Sequence, residues 1–218
     1  MEAPVLAQRE KLAGHIIKQL ARRKMAGSFA PTGAAAKAQV LEMIPSPATI
    51  IRCGTQSVTN LGLWEELAAR PGVTLIDPYK PGLSKEEGFE LRRKGFYADV
   101  MIASSNAITV DGRLVNVDGN GNRVAPMLFG PRKVILVVGM NKVAADLDAA
   151  FDRVRTYAAP ANNQRLAASY GLKNPCVEDG RCHQCMSETK ICNMWTIIDG
   201  QPVQDRIHVI LVAEDLGY

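Results

Sequence analysis

The sequence predicts an α/β fold: a mostly parallel sheet covered by helices, with an N-terminal helical cap and a Cys-rich loop. Three observations carry this expectation. From Ala48 onward, short β-branched or apolar runs alternate with segments that repeat apolar residues at helical spacing, as strands joined by helices do. Residues 134–138 are apolar without interruption, as a strand covered on both faces must be. Asp111-Gly112, set between residues 108–110 and 113–117, is the best hairpin signal in the chain and adds an antiparallel piece.

Residues 8–25 place Leu12, Ile16 and Leu20 on one helical face. Pro31-Thr32-Gly33 breaks that helix, and Thr32 is positioned to cap a second one ending near Ile44. These two helices make the cap, residues 1–45. Strand 49–53 ends at Gly54-Thr55-Gln56-Ser57, where a helix with Leu61, Trp64, Leu67 and Ala68 begins. Strand 73–76 is closed by Asp77-Pro78, and Ser84 caps a helix carrying Glu86, Glu87, Leu91 and Lys94. Strand 98–103 runs into Ser104-Ser105-Asn106, followed by the hairpin, a Gly-rich turn and a short helix at 124–128. The apolar strand then leads through Asn141-Lys142 into a helix expected over 143–157 and a shorter one over 162–170. Residues 194–198 and 207–212 are the late strands, around Asp199-Gly200.

A chain of 218 residues could hold one or two domains; with no repeat and no long linker, a single domain over 1–218 is expected. The formal charge of +4 is mild, and only 6% of residues are aromatic, which argues against a nucleic-acid surface. Arg22-Arg23-Lys24 and Arg92-Arg93-Lys94 read as solvated helix faces. No segment approaches the ~18 apolar residues of a membrane span. Residues 1–9 lack a basic start followed by an apolar stretch, so a cytoplasmic location is the expectation.

Cys176, Cys182, Cys185 and Cys192, four of the five cysteines, fall in one polar loop, residues 174–193. Thiolates so close in sequence can converge on a metal with little chain-closure cost. Inert core cysteines sit in apolar strands, as Cys53 does, whereas these four lie among Glu178, Asp179, Arg181 and Lys190. Structural zinc draws on paired knuckles, and only Cys182 and Cys185 form a Cys-x-x-Cys pair. The irregular spacing suits an iron–sulfur cluster of the cubane, four-iron four-sulfur type better. Zinc and a redox disulfide between Cys182 and Cys185 remain the alternatives, with His183 able to replace a thiolate.

Gly54, Thr55 and Ser57 stand where a strand gives way to a helix, a setting that can bind an anion or merely cap the helix. Asn106, Asp118, Asn122 and Arg123 follow an apolar strand, where open α/β sheets place their ligand crevice. Arg123 could fork onto a carboxylate, although Asp118-Gly119 also reads as a plain turn. Asn141 and Lys142 end the most apolar strand and are expected at the same crevice. Glu214, beside Asp215, offers a general base or a cation ligand as readily as a solvated terminus.

The motifs Arg52-Cys53-Gly54-Thr55-Gln56-Ser57-Val58-Thr59, Asn106-Ala107-Ile108-Thr109, Asp118-Gly119-Asn120-Gly121-Asn122-Arg123, Asn141-Lys142 and Glu214-Asp215-Leu216-Gly217-Tyr218 occur together. In combination they resemble the lactate-utilisation (LUD) domain family over the whole chain. The resemblance implies a fold similar to the sugar-phosphate isomerase and coenzyme A transferase superfamily. It implies a bacterial or archaeal protein linked to L-lactate oxidation, working beside iron–sulfur partner proteins. It carries over no catalytic residues, and whether the chain is itself an enzyme is left open. The resulting expectation is a redox accessory or subunit with a Cys-ligated cluster beside a crevice for a small anionic hydroxy- or oxo-acid. The alternative is a ligand-binding or transferase-like enzyme with a purely structural zinc site. A homo-oligomer is compatible with either.

Overall fold

Two sheets organise residues 1–218, all of which the computed structural model describes. In chain order the strands are β1 (Ala26–Ala30), β2 (Ala48–Arg52), β3 (Val73–Ile76), β4 (Val100–Ala103), β5 (Ala107–Thr109), β6 (Leu114–Asp118), β7 (Lys133–Gly139), β8 (Val143–Ala144), β9 (Met194–Ile198) and β10 (Ile207–Val212). The helices are α1 (Ala3–Arg22), α2 (Gly33–Glu42), α3 (Gln56–Thr59), α4 (Leu63–Ala69), α5 (Lys85–Lys94), α6 (Val124–Leu128), α7 (Leu147–Arg153), α8 (Ala159–Tyr170) and α9 (Pro175–Asp179). The larger sheet has the order β1-β10-β7-β4-β2-β3 and is parallel throughout. The smaller one has the order β8-β5-β6-β9, with β6 antiparallel to both neighbours and β8 parallel to β5.

The period-2 alternation of side chains explains how the large sheet fills two cores at once. In β7, Val134, Leu136 and Val138 enter one core while Ile135 and Val137 enter the other. In β10, Ile207, Val209 and Leu211 divide from Ile210 and Val212 in the same way. The first core is closed by Ala13, Ile16 and Leu20 of α1 and by Ile108, Leu114 and Ile198 of the small sheet. The second is closed by Ala36 and Val40 of α2 and by Leu63, Trp64 and Leu67 of α4. Each fully buried aliphatic side chain contributes about 1.5–3 kcal/mol, so both faces of β7 and β10 must stay covered. A third, smaller core lies between the small sheet and α7–α8, with Ala107, Val115, Ala150 and Val154 in it.

The two N-terminal helices cover opposite faces of the large sheet. Between them lies β1, a strand the sequence pattern does not reveal. Its Ala-Gly-Ser-Phe-Ala composition has no β-branched residue; it is a strand because β10 offers it an edge, Ala26 facing His208 and Ala30 facing Val212. The helix expected from residue 143 starts later, at Leu147. Residues 143 and 144 extend the small sheet, and Asp146 caps the helix by accepting from the Ala149 N–H. From there α7 continues through a π-helical turn, Val154–Ala158, directly into α8. Gly171 ends α8 in the left-handed conformation, and the cysteine loop follows, its start folded as α9.

Candidate functional site

The principal cavity, about 550 Å³, opens at the carboxyl ends of β2, β4 and β7, three neighbouring strands of the large sheet. This is where parallel α/β sheets bind ligands, because the loops leaving the strands diverge there. Gly54, Thr55 and Ser57 line it from the turn after β2. Asn106, Asp118, Asn122 and Arg123 line it from the hairpin side, and Lys142 from the turn after β7. Two expected residues stand elsewhere. Glu214 accepts from the Gly33 N–H at the start of α2, at 3.0 Å. Asn141 holds the C-terminal segment, donating to Gly217 O and accepting from the Leu216 N–H.

Arg123 is a strut. Its Nη1 donates to Ser104 O (3.0 Å) and Asn116 Oδ1 (2.7 Å), and its Nη2 to Asn106 Oδ1 (2.7 Å) and Val117 O (2.8 Å). Those bonds stitch the end of β4 to β6 and leave no free guanidinium fork. Asp118 is likewise committed, its carboxylate accepting from the backbone N–H groups of Gly119, Arg123 and Val124. Asn122 lines the cavity and makes no side-chain hydrogen bond to the protein. The turn after β2 opens only a four-residue helix, whose dipole is correspondingly small. Thr55 occupies the N-cap position there but caps no N–H with its side chain.

At the base of the cavity Lys142 Nζ lies 2.9 Å from Ser57 Oγ and 3.1 Å from Ser104 Oγ, and the two hydroxyls are 3.3 Å apart. Lys142 is 3% exposed and forms no ion pair with a carboxylate. Burial, with the neighbouring Arg153 and Arg123 charges adding to it, pushes the Lys142 ammonium down to about 7. Ser57 Oγ also donates to Leu216 O at 3.1 Å, so the C-terminal segment closes this floor.

Sequence reasoning missed the opposite wall. Arg52 pairs with Asp77 at 2.9 Å and lies over the rings of Trp64 and Tyr79. Arg92 of α5 also lies over the Tyr79 ring, 5.3 Å from its centroid. Burial raises the Tyr79 hydroxyl above its ordinary value. A Cβ at Gly54 would lie 2.8 Å from that hydroxyl, which explains why a residue without a side chain stands there. With Arg165 of α8, five basic side chains line the cavity against one acidic side chain, Asp118. Only the fold could reveal this, since Tyr79, Arg92 and Arg165 carry no local signal of their own.

The cysteine loop packs against the same cavity. Ile191 and Cys192 are part of its wall. Asn193 donates through its backbone N–H to Asp118 O (3.0 Å) and through Nδ2 to Gly119 O (3.2 Å), tying the loop to the turn after β6. Further in, buried Asn174 organises the loop: it donates to Asn163 Oδ1 (2.6 Å) and Thr189 O and accepts from Ser187 and Thr189 hydroxyls. All five cysteines are free thiols. Burial raises Cys176, and the charges of Cys185, Cys192 and Cys182 add to the effect. Burial raises Cys192 as well, with Cys182 and Cys185 contributing. The four thiols are thus within electrostatic reach of one another, yet no three Cys, His, Asp or Glu side chains converge on a single-ion site. His183 instead pairs with Asp179 at 3.0 Å. Cys53 lies outside this group; burial pushes its thiol up to about 12.

Comparison with curated proteins gives no match. Among solved structures the chain is similar to a DUF162 family protein from Deinococcus radiodurans, at 16% identity and a TM-score of 0.52, covering 94% of this chain and 98% of that one. At that identity the likeness concerns the fold alone. The family model described as the LUD domain matches residues 13–212, a span that includes both sheets, the cysteine loop and every cavity-lining residue except Tyr218, and the chain therefore belongs to the LUD domain family.

Proposed function

We propose that this protein is a redox accessory or subunit of lactate utilisation, in which Cys176, Cys182, Cys185 and Cys192 hold an iron–sulfur cluster beside an anion cavity. The observation that carries the reading is that Cys192 lines a cavity that also has four arginines in its lining. What supports the reading is the donor type: four free thiols in one loop that is organised around buried Asn174. When bound, such a cluster supplies one-electron transfer. The protein's own residues do the rest. Arg52, Arg92 and Arg165 attract a carboxylate-bearing hydroxy- or oxo-acid, Asn122 offers it an unengaged amide, and Arg123 keeps the hairpin in place around it. Iron–sulfur partner proteins of lactate oxidation would exchange electrons with the loop at its exposed side, where Arg181 and Met186 face solvent.

The test is anaerobic purification followed by iron and acid-labile sulfide analysis and an absorption spectrum. A brown protein with both elements near cluster stoichiometry supports the reading. Colourless protein carrying only zinc, or no metal after anaerobic reconstitution, sinks it.

A further inference from the structure

The cluster reading leaves the floor of the cavity unexplained. Lys142 follows β7, Ser104 follows β4 and Ser57 lies in α3 beyond β2, and the three meet in a triangle with sides of 2.9, 3.1 and 3.3 Å. All three line the cavity, and each is at most 5% exposed. A structural role accounts poorly for the lysine. Ser57 Oγ already has Leu216 O and Ser104 Oγ as partners, and Ser104 Oγ has Ser57 Oγ and Ser105 O, so neither hydroxyl needs an ammonium to be satisfied. Burying a cation among neutral hydroxyls, with Arg123 and Arg153 nearby and no carboxylate, costs stability that an apolar side chain of similar size would avoid. Those same conditions hold an amine neutral near neutral pH and make it a base.

We propose that Ser57 is a nucleophile activated by Lys142, with Ser104 bridging the two, and that the site acts on acyl compounds, esters or thioesters of carboxylate-bearing acids. The requirements of an activated nucleophile are met: nucleophile and base within hydrogen-bond reach, and a third group that orients them. Ser57 Oγ adds to the acyl carbon as its proton passes to Lys142 Nζ. The bond from that carbon to the alkoxide or thiolate breaks, and Lys142 returns the proton to the departing group. Water then adds to the acyl-Ser57 ester with Lys142 taking its proton; the carboxylic acid leaves and Ser57 recovers its hydrogen. The cationic side chains above the triangle hold the carboxylate of the substrate. This chemistry does not involve the cysteine loop, so it stands or falls separately from the cluster.

The experiment is labelling of the full chain with an alkyl fluorophosphonate, in which a Ser Oγ–P bond forms, the P–F bond breaks and fluoride leaves. One probe equivalent by intact mass, mapped to Ser57, is the expected result, with a labelling rate that rises through neutral pH. Ser57→Ala should take up none. Lys142→Arg keeps the charge and two hydrogen-bond donors but cannot act as a base, and it should label about 100-fold more slowly, the usual contribution of such a group. Its thermal unfolding is measured alongside, and Lys142→Met replaces it if it does not fold. No adduct on folded wild-type protein, an adduct on Ser104 or elsewhere, or a folded lysine variant labelling at the wild-type rate would overturn the proposal.

Discussion

Replacing Lys142 with Met should make the protein more stable in mild acid and leave it unchanged in mild base. Burial takes the Lys142 amine from 10.5 to about 7. The folded state therefore binds fewer protons than the unfolded chain between those values, and stability contributed by this group rises with pH across that window. Below the folded value the whole penalty applies: three to four units at 1.36 kcal/mol each is on the order of 4–5 kcal/mol. At about pH 9 roughly 2 kcal/mol of it remains. The substitution also deletes two hydrogen bonds to Ser57 and Ser104, worth about 1 kcal/mol each, while both hydroxyls keep other partners. The net is a gain of roughly 2–3 kcal/mol near pH 6, or about 5–10 °C in Tm for a chain of this size, and nearly nothing near pH 9. Urea unfolding of both proteins at the two pH values reads this directly. Other titrating groups, including His208, cancel in the difference between the proteins. Arg123 and Arg153, the charged groups facing Lys142, stay protonated across the range. A variant less stable than wild type near pH 6, or one whose stability follows pH just as wild type does, would refute the reasoning.

Other positions test the framework around that floor. Arg123→Ala strands four acceptors between β4 and β6 and should cost about 3–5 kcal/mol in urea unfolding, with Arg123→Lys recovering only part. Asp146→Ala removes the cap of α7 and should cost about 1 kcal/mol by the same measurement. Asn174→Ala leaves Asn163, Ser187 and Thr189 without their common partner. The large sheet should survive that change, while alkylation of Cys176 by iodoacetamide accelerates several-fold and iron uptake on reconstitution falls.

Strands were legible where composition and boundaries agree. Residues 73–76, 194–198 and 207–212 are β-branched or aromatic runs between Gly, Asp and Pro turns, and β3, β9 and β10 occupy those spans. The α5 cap at Ser84 was equally plain, because a capping box is a local device: Ser84 and Glu87 satisfy each other's N–H groups. β1 was not, since its pairing with β10 spans almost the whole chain and its residues show no strand preference. The same division holds at the cavity. Ser57 and Lys142 could be singled out as polar residues following apolar strands. Their contact could not, because it depends on β2, β4 and β7 being neighbours, an order that no local pattern encodes. Arg92 reads as part of a solvated helix face until the fold sets it and Arg52 over the ring of Tyr79.

The cysteine loop and the cavity share a wall. Asn193 is bonded to Asp118 and Gly119, and Gly119 packs on the backbone of Ile191 so closely that a Cβ there would meet it at 3.3 Å. Two ligands on either side of such a partition exchange free energy reciprocally: whatever one gains from the other's presence must be returned in full. An anion that tightens the Asp118–Gly119 turn and so favours ligation of Cys192 would itself be held more tightly, by the same factor, once Cys192 is ligated. Loss of the loop's ligand would then loosen the anion with no residue of the cationic wall having changed.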